Sequence, residues 1–475
     1  MFDLKIKELK EKVLKRELKA EELVRAYLEQ IKNRDGKTQA YLEVFEQEAI
    51  ESAKKIDADL DKGVDFSDKK MLAIPIALKD NILYKGHTAS AASKMLENYK
   101  ASYSATVTER LQNHGAIFLG RTNMDEFAMG SSTESSAYQK TKNPHDLQRV
   151  PGGSSGGSAA SVSDKSSHVA MGTDTGGSIR QPASFCGVVG FKPSYGTVSR
   201  HGLIAMGSSL DQAGPLARSA EDAKEVFLSI YGEDGFDATA VPKDFIDKNA
   251  NKKIKKIGVP RKFLEKGVES YLLDEFENLE NELKSYGYEL VDIDIESFDY
   301  ALAAYYIIMP AEVSTNLARF DGLRYGLHVE ADSYEESFAK SRAQGFGQEV
   351  KRRILLGTFV LSSGYADEYY YKALAAREKM KQELDSVFED VDLILTPTTP
   401  SVAFKFGEKS DPISMYASDI FTVPVNIAGV PAISLPFAEH ELDGKSLPLG
   451  AQFIAPKFHD LALLDFAIDF ERRRG

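Results

Sequence analysis

The chain has 475 residues, 43% of them hydrophobic and 28% charged, so it can bury a large core and carries the balance of a folded globular protein. Acidic residues outnumber basic ones 72 to 59, and a formal net charge of -13 argues against a surface built to bind nucleic-acid phosphates. A single cysteine, Cys186, excludes an internal disulfide and a cysteine metal cluster. No signal-peptide core and no bilayer-length apolar run is expected, which makes the cytoplasm the expected compartment.

Taken in order, the chain opens with apolar residues at helical spacing: Leu9, Val13, Leu18, Leu23, Val24, Tyr27, Leu28 and Ile31 alternate with Lys and Glu. Residues 1–65 are expected to form an outer helical layer. Between residues 66 and 220 the texture changes to short apolar strands, at 72–78, 116–119 and 168–171, alternating with helices and with Gly- and Ser-rich loops. The chemistry is expected in this segment. Residues 221–475 continue with a strand at 257–259, an acidic helix at 271–283, a helical stretch over 349–384 and a strand at 391–395. With no flexible linker and no fixed-period repeat, the pattern predicts one α/β body, a mixed central sheet covered by helices on both faces.

Three stretches carry chemistry. Lys79 ends the apolar run Leu72-Ala73-Ile74-Pro75-Ile76-Ala77-Leu78; two clusters follow, Gly152-Gly153-Ser154-Ser155-Gly156-Gly157 and Thr175-Gly176-Gly177-Ser178. A serine hydroxyl needs a base, and a lysine serves when burial keeps it neutral. Alone, Lys79 is as well read as a lysine whose head reaches the surface. The first cluster competes as a linker, a phosphate cradle or a catalytic turn. A P-loop needs a Gly-Lys pair followed by Ser or Thr at the end of the Gly-rich stretch, and this cluster has no such lysine. Gly153 to Gly157 also spells Gly-x-Ser-x-Gly, with Ser155 as nucleophile, but residues 143–151 read as loop where that elbow needs a strand. His168, His201, His328, His440 and His459 lie in no convincing motif for its third member. The glycines of the second cluster permit positive φ angles that aim successive amides at one point, as in an oxyanion hole. No histidine pair has metal-ligand spacing, and no metal is expected.

At these residues the chain resembles the amidase signature family, from Gly152-Gly153-Ser154 through Asp174-Thr175-Gly176-Gly177-Ser178-Ile179-Arg180 to Phe191-Lys192-Pro193 and Ser208-Ser209-Leu210-Asp211-Gln212-Ala213-Gly214-Pro215. Ser194 and His145 depart from the usual pattern without touching the chemistry. Residues 126–134, 316–322, 345–353 and 419–429 are similar to the glutaminase components of tRNA-dependent amidotransferases. The resemblance implies the amidase signature fold and a Ser-Ser-Lys triad, with Ser178 as nucleophile, Ser154 as bridging hydroxyl and Lys79 as base. It implies an oxyanion hole of Thr175, Gly176 and Gly177 amides, continuing to that of Ser178. It places the carboxylate of substrate glutamine on Arg353, with neighbouring Arg352 as competitor, and its ammonium on Asp419; Tyr305, Gly130 and Ser131 line the same pocket. It implies no cofactor in this chain, and B and C partner subunits of which the B subunit holds tRNA, ATP and Mg. A free-standing amidase acting on a small amide and a non-catalytic scaffold are the alternatives.

Overall fold

The computed structural model describes residues 1–265 and 267–474. Among these, eleven strands form one sheet: β1 (Tyr41–Val44), β2 (Pro75–Lys79), β3 (Ile117–Thr122), β4 (Val169–Asp174), β5 (Val189–Lys192), β6 (Gln212–Ala217), β7 (Lys256–Val259), β8 (Glu289–Asp292), β9 (Leu393–Pro397), β10 (Ala432–Leu442) and β11 (Lys445–Ile454). Their order is β1-β3-β2-β4-β6-β5-β10-β11-β9-β7-β8, so the three segments distinguished in the sequence all contribute strands to one sheet. The sheet is mixed. Strands β3, β2 and β4 run parallel, as do β9, β7 and β8, while β6, β5, β10 and β11 join them by antiparallel pairs.

Every residue of β2, β4, β5, β6 and β9 is buried, which a strand achieves only when helices cover both faces of its sheet. Helix Ala20–Thr38 supplies one such cover with the stripe Leu23, Val24, Tyr27, Leu28 and Ile31, all buried as its spacing predicts.

Two expectations are corrected. The first 65 residues are not helical throughout, because Tyr41–Val44 pairs with β3 as an edge strand; four residues are too few for a period to show. The stretch over 349–384 is not one helix. It divides into Gln348–Val360 and Tyr371–Asp390, separated by Ser362, Ser363 and Gly364, whose φ of +86° ends helical geometry, and by a single wide turn at Ala366–Tyr370.

The topology positions the site. Neighbouring parallel strands β2 and β4 end side by side, with Leu78 opposite Met171, so Lys79 arrives next to Thr173 at their carboxyl ends. Such edges are where open α/β sheets bind ligands.

Candidate active site

Lys79 is fully buried, and its aliphatic stem passes through the core to a cage of oxygens. Nζ lies 2.7 Å from Ser154 Oγ, 2.8 Å from Ser155 Oγ, 2.9 Å from Thr173 Oγ1 and 3.2 Å from Thr173 O. Burial pushes its pKa down to about 7, against the pull of Asp125, Asp174 and Asp211. Asn81 Nδ2 donates to Thr173 Oγ1 (3.0 Å), and Ser155 Oγ donates to Thr173 O (3.1 Å). A neutral amine in this cage donates to Ser155 Oγ and Thr173 Oγ1, leaving one lone pair for the Ser154 hydroxyl. The cage therefore sets a direction for proton transfer.

Ser155 is the start of helix Gly156–Ser163 and no strand precedes it, so the elbow arrangement is absent; its hydroxyl serves Lys79. Sequence reasoning missed Ser155, Thr173 and Asn81 as partners of the lysine. Thr173 and Ser155 were present in the Gly- and Ser-rich stretches, but only the strand register shows which hydroxyls face Nζ.

Ser178 is 7% exposed, and its carbonyl accepts from Ser155 N at 3.1 Å, which binds the two serine clusters together. Its Oγ makes no hydrogen bond among the described residues. The Lys79–Ser154 contact of the expected relay is thus present, and no hydrogen bond joins Ser178 Oγ to Ser154 among the described residues.

The turn before Ser178 is clamped on both sides. Thr422 Oγ1 donates to Gly176 O at 2.7 Å, and a Cβ on Gly176 would lie 2.7 Å from Tyr305 Oη. Gly177 has φ +140° and would drive a Cβ into Thr422 Oγ1 at 2.3 Å, so both positions require glycine. Gly177 N donates to Asp174 Oδ1 (2.9 Å), and Ile179 N to Asp174 Oδ2 (3.1 Å). Of the amides expected in the oxyanion hole, that of Gly177 is thus engaged by Asp174, while those of Thr175, Gly176 and Ser178 have no acceptor among the described residues. Thr175 is held through its side chain by Asp211 Oδ1 at 2.7 Å.

Asp174 is in turn held by Arg180, through Nη2 to Oδ1 (2.9 Å) and Nε to Oδ2 (3.0 Å), both side chains being fully buried. The guanidinium keeps the Asp174 carboxyl far below the usual carboxylate range. Arg180 also reaches Thr422 O and Gln452 Oε1, so one cation joins β4, β11 and the segment around Thr422.

Arg353 and Asp419, the charged residues expected to meet an amino-acid substrate, are both buried. Arg353 is 3% exposed, not a solvated helix charge, whereas the Arg352 side chain is half exposed and pairs with Glu349. Arg353 Nε donates to Glu349 Oε1 (2.8 Å), and its Nη1 faces only Met309 Sδ at 3.6 Å. The fork stays open to a carboxylate. Asp419 Oδ2 accepts from Ser131 Oγ at 2.5 Å; Oδ1 is buried without a partner, an acceptor waiting for a donor. Among the described residues Arg353 and Asp419 form no ion pair with each other. Lys409, hydrogen-bonded to Ser418 Oγ (2.8 Å), adds a cation near Asp419 that the sequence did not single out.

An outer cavity of about 360 Å³ is lined by Gly130, Ser131, Glu349, Arg352, Arg353 and Tyr416. Neither Ser154 nor Ser178 lines it. Burial pushes the Asp419 carboxyl up to about 7. A cationic ligand needs the carboxylate, so KM for an amino-acid amide should fall as pH rises through about 7. Asp419→Asn should remove that limb and raise KM at least about tenfold at pH 8, since a charge-assisted bond is worth roughly 1.5–3 kcal/mol. A pH-independent wild-type KM would contradict the assignment.

A family model described as Amidase matches residues 22–464. The chain is 49% identical over 471 residues to the A component of glutamyl-tRNA(Gln) amidotransferase from Clostridium botulinum (strain Okra / Type B1), covering 98% of this chain and 96% of that protein. It is 48% identical over 480 residues to the protein of the same name from Caldanaerobacter subterraneus subsp. tengcongensis, covering 99% and 96%. Among solved structures it is similar to the same amidotransferase component from Thermotoga maritima, with TM-score 0.77, 40% identity and coverage of 98% of this chain and 93% of that one. It is also similar to a crystal structure described as an amidase, with TM-score 0.83, 28% identity and coverage of 99% and 100%. Among the described residues no helix is long and apolar enough to cross a membrane.

Proposed function

The chain belongs to the amidase family, and on that premise we propose that it is the glutamine-hydrolysing subunit of a tRNA-dependent amidotransferase. The observation that carries the reading is the pair of opposite, mutually unpaired charged groups: an open Arg353 fork and the orphaned Asp419 Oδ1. A simple aliphatic or aryl amide has no use for either.

Neutral Lys79 takes the Ser154 hydroxyl proton as Ser154 takes that of Ser178, whose Oγ attacks the side-chain amide carbon of glutamine. The oxyanion is met by the amides of Thr175, Gly176 and Ser178, each worth roughly 3 kcal/mol in the transition state. The C–N bond then breaks as the proton returns through Ser154 to the leaving nitrogen, and ammonia departs. A water deprotonated by the same relay hydrolyses the acyl ester, releasing glutamate and restoring Ser178.

The ammonia is passed to a B subunit, which holds the tRNA together with ATP and Mg and converts Glu-tRNA(Gln) to Gln-tRNA(Gln); a C subunit completes the assembly. This division agrees with the acidic charge of the chain and places it with the cytoplasmic translation machinery. The test is glutamate release from glutamine by the chain co-expressed with B and C subunits. Ser178→Ala should abolish it while ammonium-supported transamidation by the complex continues. Turnover of simple amides without glutamine hydrolysis would make the chain a free-standing amidase, and absence of any acyl-serine chemistry would make it a scaffold.

A further inference from the structure

We propose that Gln181 is a positioning residue that locks the relay serine and the ammonium subsite into one unit; the inference rests on the triad and substrate assignments above. Gln181 is fully buried in the first turn of helix Arg180–Cys186, three residues beyond Ser178. Its Oε1 accepts from Gly153 N at 2.8 Å, the residue immediately before Ser154. Its Nε2 donates to Ser131 O at 2.7 Å, and Ser131 Oγ donates to Asp419 Oδ2. One rigid carboxamide therefore joins the nucleophile helix, the relay loop and the loop that orients Asp419.

The contact is specific to an amide. Gly153 offers a donor and Ser131 an acceptor, so the side chain must accept at one end and donate at the other. A carboxylate sets an oxygen against the Ser131 carbonyl, and an apolar side chain leaves both backbone groups buried without partners. The packing is close as well: a Cβ on Gly152 would come within 2.5 Å of Gln181 Oε1.

The consequence is shared registration. The substrate is seated through Asp419 and Ser131, and it is attacked through Ser154 and Ser178. Misplacement of either centre by about 1 Å is enough to lower turnover about 100-fold. Gln181 holds the distance between them without touching substrate.

Two readouts test this on the complex with its B and C subunits. The first is the rate at which a fluorophosphonate labels Ser178, which reads activation of the nucleophile whatever the natural amide is. The second is KM for glutamine. Gln181→Met, which keeps the length of the side chain, should slow labelling at least about tenfold and raise KM at least about tenfold. Combined with Ser131→Ala, the KM effects should fail to multiply, the double variant staying within about twofold of the worse single one.

Labelling of Gln181→Met at the wild-type rate would overturn the link to Ser154, and fully multiplicative KM effects would overturn the link to Ser131. If Gln181→Met does not fold, Gln181→Glu has the same shape and keeps the acceptor for Gly153. It should label within about threefold of wild type with KM raised at least about tenfold, and a wild-type KM would overturn the proposal. A wild-type complex that is labelled but does not hydrolyse glutamine would instead refute the glutaminase reading, and labelling would still judge the relay arm.

Discussion

Lys79→Met is expected to lower glutamine turnover by about 10³–10⁴-fold while leaving the protein as stable as the wild type or more so. The activity follows from the loss of the base, since a positioned acid–base group contributes roughly 10²–10⁴-fold and no second base lies in the oxygen cage. The stability follows from desolvation. An unfolded lysine titrates near 10.4, but burial holds Lys79 down at about 7. Between those values the unfolded chain binds a proton that the folded chain does not, so folding stability of the wild type decreases as pH falls from about 10.5 to about 7 and levels off below it.

A shift of this size corresponds to roughly 4 kcal/mol at pH 7, at about 1.4 kcal/mol per pKa unit, and the lost hydrogen bonds offset part of it. The stability of Lys79→Met relative to wild type should therefore be greatest at and below about pH 7 and decline toward pH 10.5, where only the lost hydrogen bonds remain and the variant melts lower. Buried Lys192, also pushed down to about 7, is common to both proteins and cancels. The wild-type kcat/KM should rise with pH through about 7 as Lys79 loses its proton, and the residual rate of the variant should lack that limb. A variant that melts far below wild type at pH 7 would mean that Lys79 is held charged and structural.

Arg180→Met is expected to destabilise the fold by about 3–5 kcal/mol, the usual effect of removing one partner of a buried ion pair. The residue is fully buried, and its loss leaves the Asp174 carboxylate with the amides of Gly177, Ile179 and residue 180 and with Asn426 Nδ2 (2.9 Å). The lost contacts to Gln452 Oε1 and Thr422 O also release β11 from the turn and leave the Thr422 segment tied to it through the bond from Thr422 Oγ1 to Gly176 O. Urea titration of the single variants and of Asp174→Asn/Arg180→Met separates charge from geometry. The double variant should recover most of the stability, because a neutral pair leaves no uncompensated charge. It should not recover glutamine hydrolysis, because a carboxamide oxygen cannot hold both the Gly177 and Ile179 amides as the carboxylate does. A single variant within about 1 kcal/mol of wild type would show that the pair does not hold the turn.

What was legible in the sequence was whatever depends on neighbours along the chain. Alternation of short apolar strands with amphipathic helices gave the α/β class. A lysine at the end of an apolar run pointed to Lys79 and the two Gly-Ser clusters to catalytic turns, because burial, small size and permissive φ are properties of local composition, whereas the choice of Ser154 and Ser178 came from the resemblance to the amidase signature family. The edge strand Tyr41–Val44 and the break between Val360 and Ala366 escaped the same reasoning, since each is shorter than the window of about 11–18 residues over which a period reveals an element.

Everything that requires two distant segments to meet was decided by the tertiary structure. The parallel register of β2 and β4 chose Thr173 and Ser155, beside Ser154, as partners of Lys79. The Asp174–Arg180 pair, tied to Gln452 and Thr422 far along the chain, engages the Gly177 amide. Burial against Met309 separated Arg353 from Arg352, two neighbours that a sequence cannot rank. The physical reason is common to all three: hydrogen-bond direction and desolvation are set by which atoms surround a group, and those atoms come largely from distant segments, Ser154 and Thr173 around Lys79, Met309 beside Arg353, and Gln452 and Thr422 on the otherwise local Asp174–Arg180 pair.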